Sequence, residues 1–443
     1  MMERRAVVEG DGEWQELRPV VADDTGGTEQ QPVINGDAGC KEQQPVFEVV
    51  GEPAHGERAE LVSELAELGF TWADLDGEPY WLDQAVAMRE DVYHELEAAS
   101  AGLWQVYDRA ARYVLGRHDL YAMLGIPEML WQTLDAVDMN EAGQISRYAR
   151  FDFAISQAGE IKLLELNSDT PTGYVEAAVA TPWQCERRGL QSVNDSMKEQ
   201  VAAAWAEEQP DAAACVAYGS HLEDSGTIEM LVKHSGQEDI ACVDCLDLWV
   251  DEGVLRNKDG AAIDRLFALY PKEWMAVDEG GEALAYAVES GGVQLLNKVH
   301  ALLLQSKGMM ALIWGLHELQ MLFSAEEREI ISKYMLPTYT RALFDGSYVS
   351  KSMFGREGGS VRLYDEAGQL EVKDEDGFDT SRLFPRVYQK RAELAKVKLA
   401  AGEFSLLTGM FVINGAPCGL LGRAGGLITG NTSHYVAIGV RAS

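Results

Sequence analysis

The stretch from Arg150 to Glu176 constrains the fold of this chain more than any other part of the sequence. It reads RFDFAISQAGEIKLLELNSDTPTGYVE. Large apolar and polar residues alternate over 150–155 and again over 161–166, and the residues at 157–159, Gln-Ala-Gly, are typical of a turn. The pattern predicts a β-hairpin, then a polar run, and then a helix of small residues near Glu176.

The outer ends of this predicted hairpin carry four polar side chains, Arg150, Asp152, Glu165 and Asn167. Mg²⁺ prefers hard oxygen ligands and usually shares its coordination sphere with the phosphates of a substrate. Three oxygen-bearing side chains beside an arginine therefore fit a Mg²⁺–phosphate site. An ordinary surface hairpin followed by a capped helix fits the same residues equally well, so the hairpin alone leaves both interpretations open.

Length and charge limit the classes of partner. With 443 residues, of which 47% are hydrophobic, the chain is long enough for two or three domains with sizeable cores. Its 72 acidic and 37 basic residues give a net charge of −35. This charge disfavours nucleic acid and anionic membranes as partners, because both attract concentrated positive charge. A small anionic substrate is still compatible with it, since a local basic cluster is enough to hold one.

The cysteines and the apolar runs predict a cytoplasmic location. The six cysteines are scattered, which is too sparse for a disulfide scaffold and favours a reducing compartment. Cys242 and Cys245 form a lone CxxC, whereas a zinc site normally needs four ligands at recognisable spacings. The sequence has no signal peptide and no apolar run long enough to span a bilayer, so we expect no membrane partner.

The remaining periodicity predicts an α/β organisation. Residues 1–55 lack periodicity and are predicted to form a flexible N-terminal extension. Helical spacing begins at Arg58, and a long helix is predicted from Asp83 to Val114. Beyond the hairpin, predicted helices alternate with short apolar strands, which is typical of an α/β layer. The strands are predicted at 212–217 and 240–246, with a polar loop at 220–227 and a later helix over 295–313.

A second candidate phosphate site lies in the last third of the chain. A predicted strand over 348–352 carries Lys351 and leads into a glycine-rich turn at 355–360. The backbone N–H groups of such a turn can cradle phosphate oxygens, and a nearby lysine supplies positive charge. A plain hairpin loop is the alternative interpretation. Further on, a Gly/Ser/Thr loop predicted at 422–433 carries Arg423.

The combination of a Mg²⁺-competent hairpin, a lysine with a glycine-rich turn, and an arginine loop suits nucleotide-dependent phosphoryl transfer. In that chemistry, positioning and charge neutralisation supply most of the catalysis. The sequence contains no GxxxxGK[ST] motif and no HRD followed by DFG. It therefore belongs neither to the P-loop enzymes nor to the protein kinases.

With these motifs in order, the chain resembles the glutathionylspermidine synthase family of ATP-grasp ligases. It is most similar to the stand-alone, synthetase-like members of the acid–amine ligase type, which lack an amidase domain. The resemblance covers about residues 58 to 440 and keeps the family's order. It is carried by LGFTWADLDGEPYW (68–81), LGIPEMLW (124–131), RFDFAISQAGEIKLLELNSDTPTGYVEAAV (150–179), HLEDSGTIEML (221–231), LLNKVHALL (295–303), KSMFGREGGSV (351–361), VYQ (387–389) and GLLGRAGGLITGNTSHYV (419–436).

The resemblance implies an α/β (α+β) fold with ATP-grasp architecture. It places a helical and pre-ATP-grasp-like α/β region at 56–290, which carries the metal hairpin within 150–179. It places an ATP-grasp nucleotide-binding region at 291–443, with the glycine-rich turn over the phosphates.

The resemblance also implies roles for individual residues. The metal ligands are Asp152, Glu165 and Asn167, and the catalytic arginines are Arg150 and Arg423. Thr170 and Thr172 fall where the family has hydroxyl residues near the acid substrate, and Glu223 and Asp224 loosely match the acidic residues that hold the amine. The ATP-binding residues are implied to be Arg150, Asp152, Lys298, Lys351, Gly358, Gly359 and Gln389.

The implied activity is that of an ATP- and Mg²⁺-dependent ligase that joins a small-molecule acid to an amine through an acyl phosphate, releasing ADP. One departure matters, because Ala424-Gly425-Gly426 stands where the family has acidic residues after its C-terminal arginine. It motivates an alternative, a nucleotide-binding regulatory or scaffold protein that has lost turnover. A phosphotransferase using the same loop is a third interpretation. Neither glutathione nor spermidine is assigned as a substrate.

Overall fold

The computed structural model describes residues 6–8, 14–16, 44–54, 56–75, 77–136, 143–208, 211–356, 358–374 and 383–441. The chain divides into two compact units, Met1–Pro45 and Val46–Ser443. In the first unit, strands β1 (Ala6–Val8) and β2 (Trp14–Glu16) pair in an antiparallel ladder. The predicted N-terminal extension, 1–55, lies mostly outside the described residues.

The second unit holds the helices and the remaining strands of the described residues. Its α-helices are α1 (Arg58–Leu68), α2 (Glu90–Val114), α3 (His118–Met123), α4 (Trp131–Ala136), α5 (Thr181–Arg188), α6 (Met197–Glu208), α7 (Leu222–Ser235), α8 (Gly281–Glu289), α9 (Ala301–Gln305), α10 (Gly308–Glu318) and α11 (Ala325–Tyr334). Short 3-10 turns lie at Glu128–Leu130, Cys245–Asp247 and Lys272–Ala276, and a π-helical turn at Glu176–Ala180 precedes α5.

The strands of this unit are β3 (Phe47–Val50), β4 (Asp74–Leu75), β5 (Glu78–Pro79), β6 (Trp81–Arg89), β7 (Tyr148–Ile155), β8 (Ile161–Asn167), β9 (Ala213–Ala217), β10 (Ile240–Asp244), β11 (Trp249–Asp251), β12 (Val254–Arg256), β13 (Arg265–Ala268), β14 (Gln294–Leu295), β15 (Thr338–Tyr339), β16 (Tyr348–Ser352), β17 (Arg362–Tyr364), β18 (Leu370–Lys373), β19 (Arg386–Lys390), β20 (Lys396–Leu399), β21 (Gly402–Ile413), β22 (Ala416–Gly425) and β23 (His434–Arg441). Strand β3 lies inside the range predicted as a flexible extension, yet it pairs with β6 in the main sheet.

The centre of the second unit is a sheet in the order β3-β6-β23-β22-β21-β7-β8, with β20 also paired to β21. Both faces are covered. One face packs on α2, α9, α10 and α11, and Phe151 and Phe153 of β7 belong to that core. The other face packs on α1, α5, α6 and α7 and includes Tyr148 of the same strand. Since side chains alternate along a strand, Arg150 and Asp152 lie on the second face with Tyr148.

Two smaller sheets flank the main one. An antiparallel sheet has the order β15-β19-β16-β17-β18, and a parallel sheet has the order β10-β9-β13-β14. The antiparallel sheet meets the main sheet at β8, where Lys351 Nζ of β16 donates to the carbonyl of Leu164 at 2.9 Å. The α/β class expected from the sequence is confirmed. No helix in the described part of the chain is long and apolar enough to cross a membrane.

Three local predictions about helical segments were wrong. The helix predicted from Asp83 begins at Glu90, because 81–89 forms the strand β6. Almost every residue of β6 is buried, and a strand buried on both faces shows no alternation to separate it from a helix. The loop predicted at 220–227 is mostly the first turns of α7. The helix predicted over 295–313 is divided into α9 and α10.

Acid sensitivity follows from His300, which is fully buried and donates from Nε2 to the carbonyl of Leu134 at 2.7 Å. Burial lowers the pKa of His300 to about 4. The unfolded chain protonates this histidine below its ordinary pKa of about 6.5, so the stabilisation is complete above that pH and is lost as pH falls toward 4. A shift of this size corresponds to about 3 kcal/mol over the whole window.

We therefore expect the free energy of unfolding, measured by urea titration, to fall from pH 7 to pH 5. The variant His300→Gln keeps a side-chain N–H for the Leu134 carbonyl and should show a shallower pH dependence. The matched change His94→Gln, at a side chain that is 63% exposed, should leave the dependence unchanged. An unaltered slope in His300→Gln would contradict the assignment.

Candidate active site

The hairpin of β7 and β8 brings the four predicted polar residues into two facing pairs. Arg150 pairs with Asn167 and Asp152 with Glu165, and a bulge follows Asp152. The Asp152 carboxylate accepts from Arg150 Nε at 2.6 Å and from Nη2 at 2.9 Å. Asn167 Nδ2 also donates to Asp152 Oδ2, at 2.9 Å. Arg150, Asp152 and Asn167 therefore form one hydrogen-bonded cluster.

Arg150 connects this cluster to the polar run that follows β8. Its Nη1 donates to the carbonyl of Thr172 at 2.5 Å. Its stem lies over Gly409 of β21, where a Cβ would be 2.9 Å from Arg150 Cδ, so the absence of a side chain at 409 makes room for the arginine. Burial disfavours the guanidinium charge, but the attraction of Asp152 outweighs it and raises the pKa of Arg150. Arg150 is thus a fixed cation.

Glu165 faces two buried lysines. Its Oε2 lies 3.4 Å from Lys307 Nζ and 3.8 Å from Lys351 Nζ. Burial disfavours its charged form, but Lys307 and Lys351 outweigh burial and lower the pKa of Glu165. Burial lowers the pKa of Lys351 to about 8, against the opposing attraction of Glu165. Lys307 Nζ also donates to the carbonyl of Gly355, at 2.7 Å. The two ammonium groups therefore lie together beside one carboxylate.

These groups line a cavity of about 420 Å³ where the antiparallel sheet meets the main sheet. That volume is within the range of small-molecule sites in proteins. The glycine-rich turn 355–360, of which residue 357 is outside the described residues, forms one wall, and the segment 390–394 forms another. Among the predicted site residues, the cavity is lined by Glu165, Lys351, Gly358, Gly359 and Gln389.

The donor set at the hairpin fits a hard divalent cation. Asp152, Glu165 and Asn167 can offer carboxylate and amide oxygens, which Mg²⁺ prefers, and phosphate oxygens would complete its sphere. Asn167 contacts Asp152 through its nitrogen, so its amide would have to rotate to offer oxygen on the same side. Within the described residues, no group of three or more His, Cys, Asp or Glu side chains is arranged to hold a metal ion. A metal here would therefore rely on phosphate as well as protein.

Lys298 and Gln389, both implied to bind ATP, differ in their position relative to the cavity. Lys298 is not among the described residues that line the cavity. Its N–H donates to the carbonyl of Ile145, and burial lowers its pKa, against the attraction of Glu208. Gln389 does line the cavity, but its side chain is buried and donates to Met310 Sδ at 3.5 Å, in the core. Its backbone lies within strand β19, which is paired on both sides, so the strand holds Gln389 in the cavity wall.

The polar run 167–172 is held by several buried groups. Gln305 Oε1 accepts from the N–H groups of Ser168 and Asp169 at 2.9 and 3.2 Å. Asn297 Nδ2 donates to the carbonyls of both residues. Thr170 and Thr172 are half-buried along this run, and Thr172 contacts Arg150 through its carbonyl. These hydrogen bonds hold the run in one position beside the hydrogen-bonded cluster of the hairpin.

Arg423 lies in strand β22 and not in the loop that was predicted to carry it. Its Nη2 donates to the carbonyl of Gly430 at 3.1 Å, and its guanidinium is 6.0 Å from the ring of Tyr80. Tyr80 donates to the buried Glu176 at 2.9 Å. Burial raises the pKa of Tyr80, Glu176 raises it further, Arg423 lowers it, and Glu223 raises it. Arg423 and Glu223 of α7 therefore both lie close enough to Tyr80 to affect its pKa.

Asp224, the second residue implied to bind the amine, and Gly425, in the Ala-Gly-Gly stretch after Arg423, lie in regular elements of the structure. Asp224, in the first turn of α7, lies 3.5 Å from His221 Nδ1. Gly425 ends strand β22, and a Cβ there would overlap Ser433 Oγ. Ser433 Oγ in turn accepts from the N–H of Gly430. Gly425 therefore lies against the 426–433 segment, and a side chain at 425 would fit only if Ser433 moved.

Lys307 is the buried cation beside Glu165 that the sequence analysis missed. It stands in the break between α9 and α10 and its side chain is 3% exposed. A signal was present, because Lys307 is the only charged residue in the apolar run from 301 to 316. A lone lysine in such a run needs a buried partner or a function, since burying an isolated ammonium is costly.

Comparisons with known proteins agree with this architecture. The model of the glutathionylspermidine synthase pre-ATP-grasp family matches residues 54–441. A Haemophilus influenzae protein named "Putative acid--amine ligase" is 24% identical over an alignment of 412 residues, and the match covers 86% of this chain and 96% of that protein.

A solved structure shares the fold. The glutathione synthetase-like effector from Globodera pallida, in its apo form, has a TM-score of 0.52 and 14% identity. The match covers 88% of this chain and 98% of the effector chain. The ATP-grasp-related fold expected from the sequence is thus confirmed, and the chain belongs to the glutathionylspermidine synthase pre-ATP-grasp family.

Proposed function

We propose that this protein is an ATP- and Mg²⁺-dependent carboxylate–amine ligase. The observation that carries the proposal is Glu165, which lies between Lys307 and Lys351 in a cavity walled by a glycine-rich turn. Two buried cations beside a carboxylate suit a polyphosphate whose charge is shared with a divalent metal. The similarity to a relative named as an acid–amine ligase supports the choice of reaction.

The proposed reaction has two steps. A carboxylate oxygen of the acid attacks the γ-phosphorus of ATP, and the bond to the β,γ-bridging oxygen breaks, so that ADP leaves and an acyl phosphate forms. The amine nitrogen then attacks the acyl carbon, inorganic phosphate leaves, and the nitrogen loses a proton to give an amide. Both steps move negative charge onto phosphate oxygens, so fixed cations are what the protein has to supply.

The chain's own residues meet this need. Lys351 and Lys307 would neutralise the polyphosphate inside the cavity, and the N–H group of Gly358 would contact its oxygens, with Gly359 beside it. Arg150, fixed by Asp152 and the Thr172 carbonyl, would hold the acid's carboxylate near the transferred phosphorus. Mg²⁺, when bound by Asp152, Glu165 and Asn167, would supply further charge neutralisation. Thr170 and Thr172 would border the acid, and Glu223 and Asp224 the amine.

A screen of acid and amine pairs for ADP release tests the proposal. The expected result is ADP release that requires an acid, an amine and Mg²⁺ together, with an amide product found by mass spectrometry. A stable phosphorylated acid with no amide would favour a phosphotransferase instead. Absence of binding to Mg²⁺ and a non-hydrolysable ATP analogue would overturn the proposal.

One observation supports the alternative, a nucleotide-binding regulatory or scaffold protein that has lost turnover. The segment after Arg423 has packed glycine where the family has acidic residues, so contacts made by those residues are absent. This alternative predicts nucleotide binding without turnover for any acid and amine pair. Amine-dependent ATP hydrolysis that is abolished by Lys351→Ala would exclude it.

A further inference from the structure

The 3-10 turn Lys272–Ala276 begins with two adjacent residues of opposite charge, and both are buried. The side chain of Lys272 is 3% exposed and that of Glu273 is 0% exposed. Buried charges are stable only when they are paired, because an isolated one loses its hydration without compensation. Each of these two residues is paired, and the partners lie in two different parts of the candidate active site.

Lys272 holds the polar run 167–172. Its backbone N–H donates to Asp169 Oδ2 at 2.9 Å, and its Nζ makes an ion pair with Asp169 Oδ1. Asp169 is fully buried and sits one residue before Thr170, in the run proposed to border the acid. The turn and the run are therefore joined through both backbone and side chain.

Glu273 holds the glycine-rich turn. Arg356 binds it with both terminal nitrogens, Nη1 to Oε1 and Nη2 to Oε2, the latter at 3.1 Å. Such a two-point contact between planar groups fixes direction as well as distance. Gly355, Gly358 and Gly359 line the cavity, whereas Arg356 is not among the described lining residues. Within the described part of the turn, Arg356 thus points toward Glu273, whereas the glycines line the cavity.

The glycine-rich turn needs such a support. Glycines have the largest backbone freedom, so a turn rich in them loses much conformational entropy when it takes one position. A buried carboxylate such as Glu273 strongly disfavours any position of the turn in which Arg356 is withdrawn. At the start of the turn, the Gly355 carbonyl is held in the same way by Lys307.

We infer that Glu273 is a positioning residue that anchors the glycine-rich turn over the nucleotide cavity through Arg356. Lys272, beside it, anchors the run that borders the acid, so one 3-10 turn supports both the phosphate side and the acid side of the site. The inference about the nucleotide rests on the proposed function, whereas the anchoring of the turn is a property of the protein alone.

Hydrogen–deuterium exchange of the full-length protein tests the anchoring without any ligand. In Glu273→Gln, the amides of 358–361 should exchange about tenfold faster than in the unaltered protein, since one charge-assisted contact is lost. Peptides from the core strands β21 and β22 should exchange as before. The variant Arg356→Gln breaks the same pair from its more exposed side, and Glu282→Gln, at an exposed residue of α8, is the matched control.

Nucleotide affinity supplies the second readout. Binding of Mg²⁺ and a non-hydrolysable ATP analogue, measured by calorimetry, should weaken about tenfold in Glu273→Gln and in Arg356→Gln, while the thermal midpoint of the core changes little. The double variant should be no weaker than either single variant, because both remove one shared contact.

Equal exchange of 358–361 in the variants and the unaltered protein would overturn the anchoring. A tenfold loss of affinity without faster exchange would also overturn it. If the unaltered protein binds no nucleotide analogue, the proposed function fails, and the exchange experiment still decides on the anchor. If Glu273→Gln does not fold, Arg356→Gln carries both measurements.

Discussion

Replacing Lys307 by alanine is expected to weaken the binding of a non-hydrolysable ATP analogue by a factor on the order of 10². Lys307 Nζ lies 3.4 Å from Glu165 and donates to the Gly355 carbonyl, and the side chain is almost fully buried. Its loss removes one of the two buried ammonium groups beside Glu165 and frees the start of the glycine-rich turn. Calorimetric titration in the presence of Mg²⁺ measures the change.

Lys298→Ala is the control that the chain itself offers. The resemblance implied Lys298 as an ATP-binding lysine, but it lies beside Glu208 and does not line the cavity. The two lysines are nine positions apart in the sequence, and of the two only Lys307 lines the cavity. We expect Lys298→Ala to bind the analogue with nearly unchanged affinity. If Lys298→Ala weakened the binding of the analogue and Lys307→Ala did not, the proposed placement of the nucleotide would be contradicted.

The local sequence pattern was sufficient to predict an element when one of its faces carries polar residues. The alternation in β7 and β8 predicted the hairpin, and the pairing of Asp152 with Glu165 follows from it. The helical spacing that begins at Arg58 likewise predicted the start of α1. Such signals depend on neighbours in sequence, and these are preserved whatever the rest of the chain does.

The sequence pattern failed to predict segments whose structure depends on packing against distant parts of the chain. Strand β6 is buried on both faces, so its apolar run carried no period that distinguishes it from the helix that follows. Lys307 could not be assigned, because its partner Glu165 is 142 positions away and arrives only through the fold. The pairs of Lys272 with Asp169 and Glu273 with Arg356 likewise join distant segments.

The carboxylate of Asp152, within β7, is the subject of the second prediction with a large expected effect. Asp152→Asn should lower the rate of acid- and amine-dependent ADP release by about 10² to 10³. The amide removes one anionic ligand from the proposed Mg²⁺ site and leaves the buried guanidinium of Arg150 without its carboxylate. Because the metal ligand is weakened, the Mg²⁺ concentration at half-maximal rate should also rise, which a structural defect alone would not produce.

The chain contains a matched pair for this experiment. Arg89 and Asp91 have the same spacing as Arg150 and Asp152, with Nε to Oδ1 at 2.5 Å and Nη2 to Oδ2 at 3.1 Å, but Asp91 is 66% exposed. Asp91→Asn breaks the same kind of pair in water, where it is worth about 1 kcal/mol or less, and should leave the Mg²⁺ dependence unchanged. If Asp152→Asn is folded and keeps the unaltered Mg²⁺ midpoint, Asp152 does not hold the metal, and the hairpin has only a structural role.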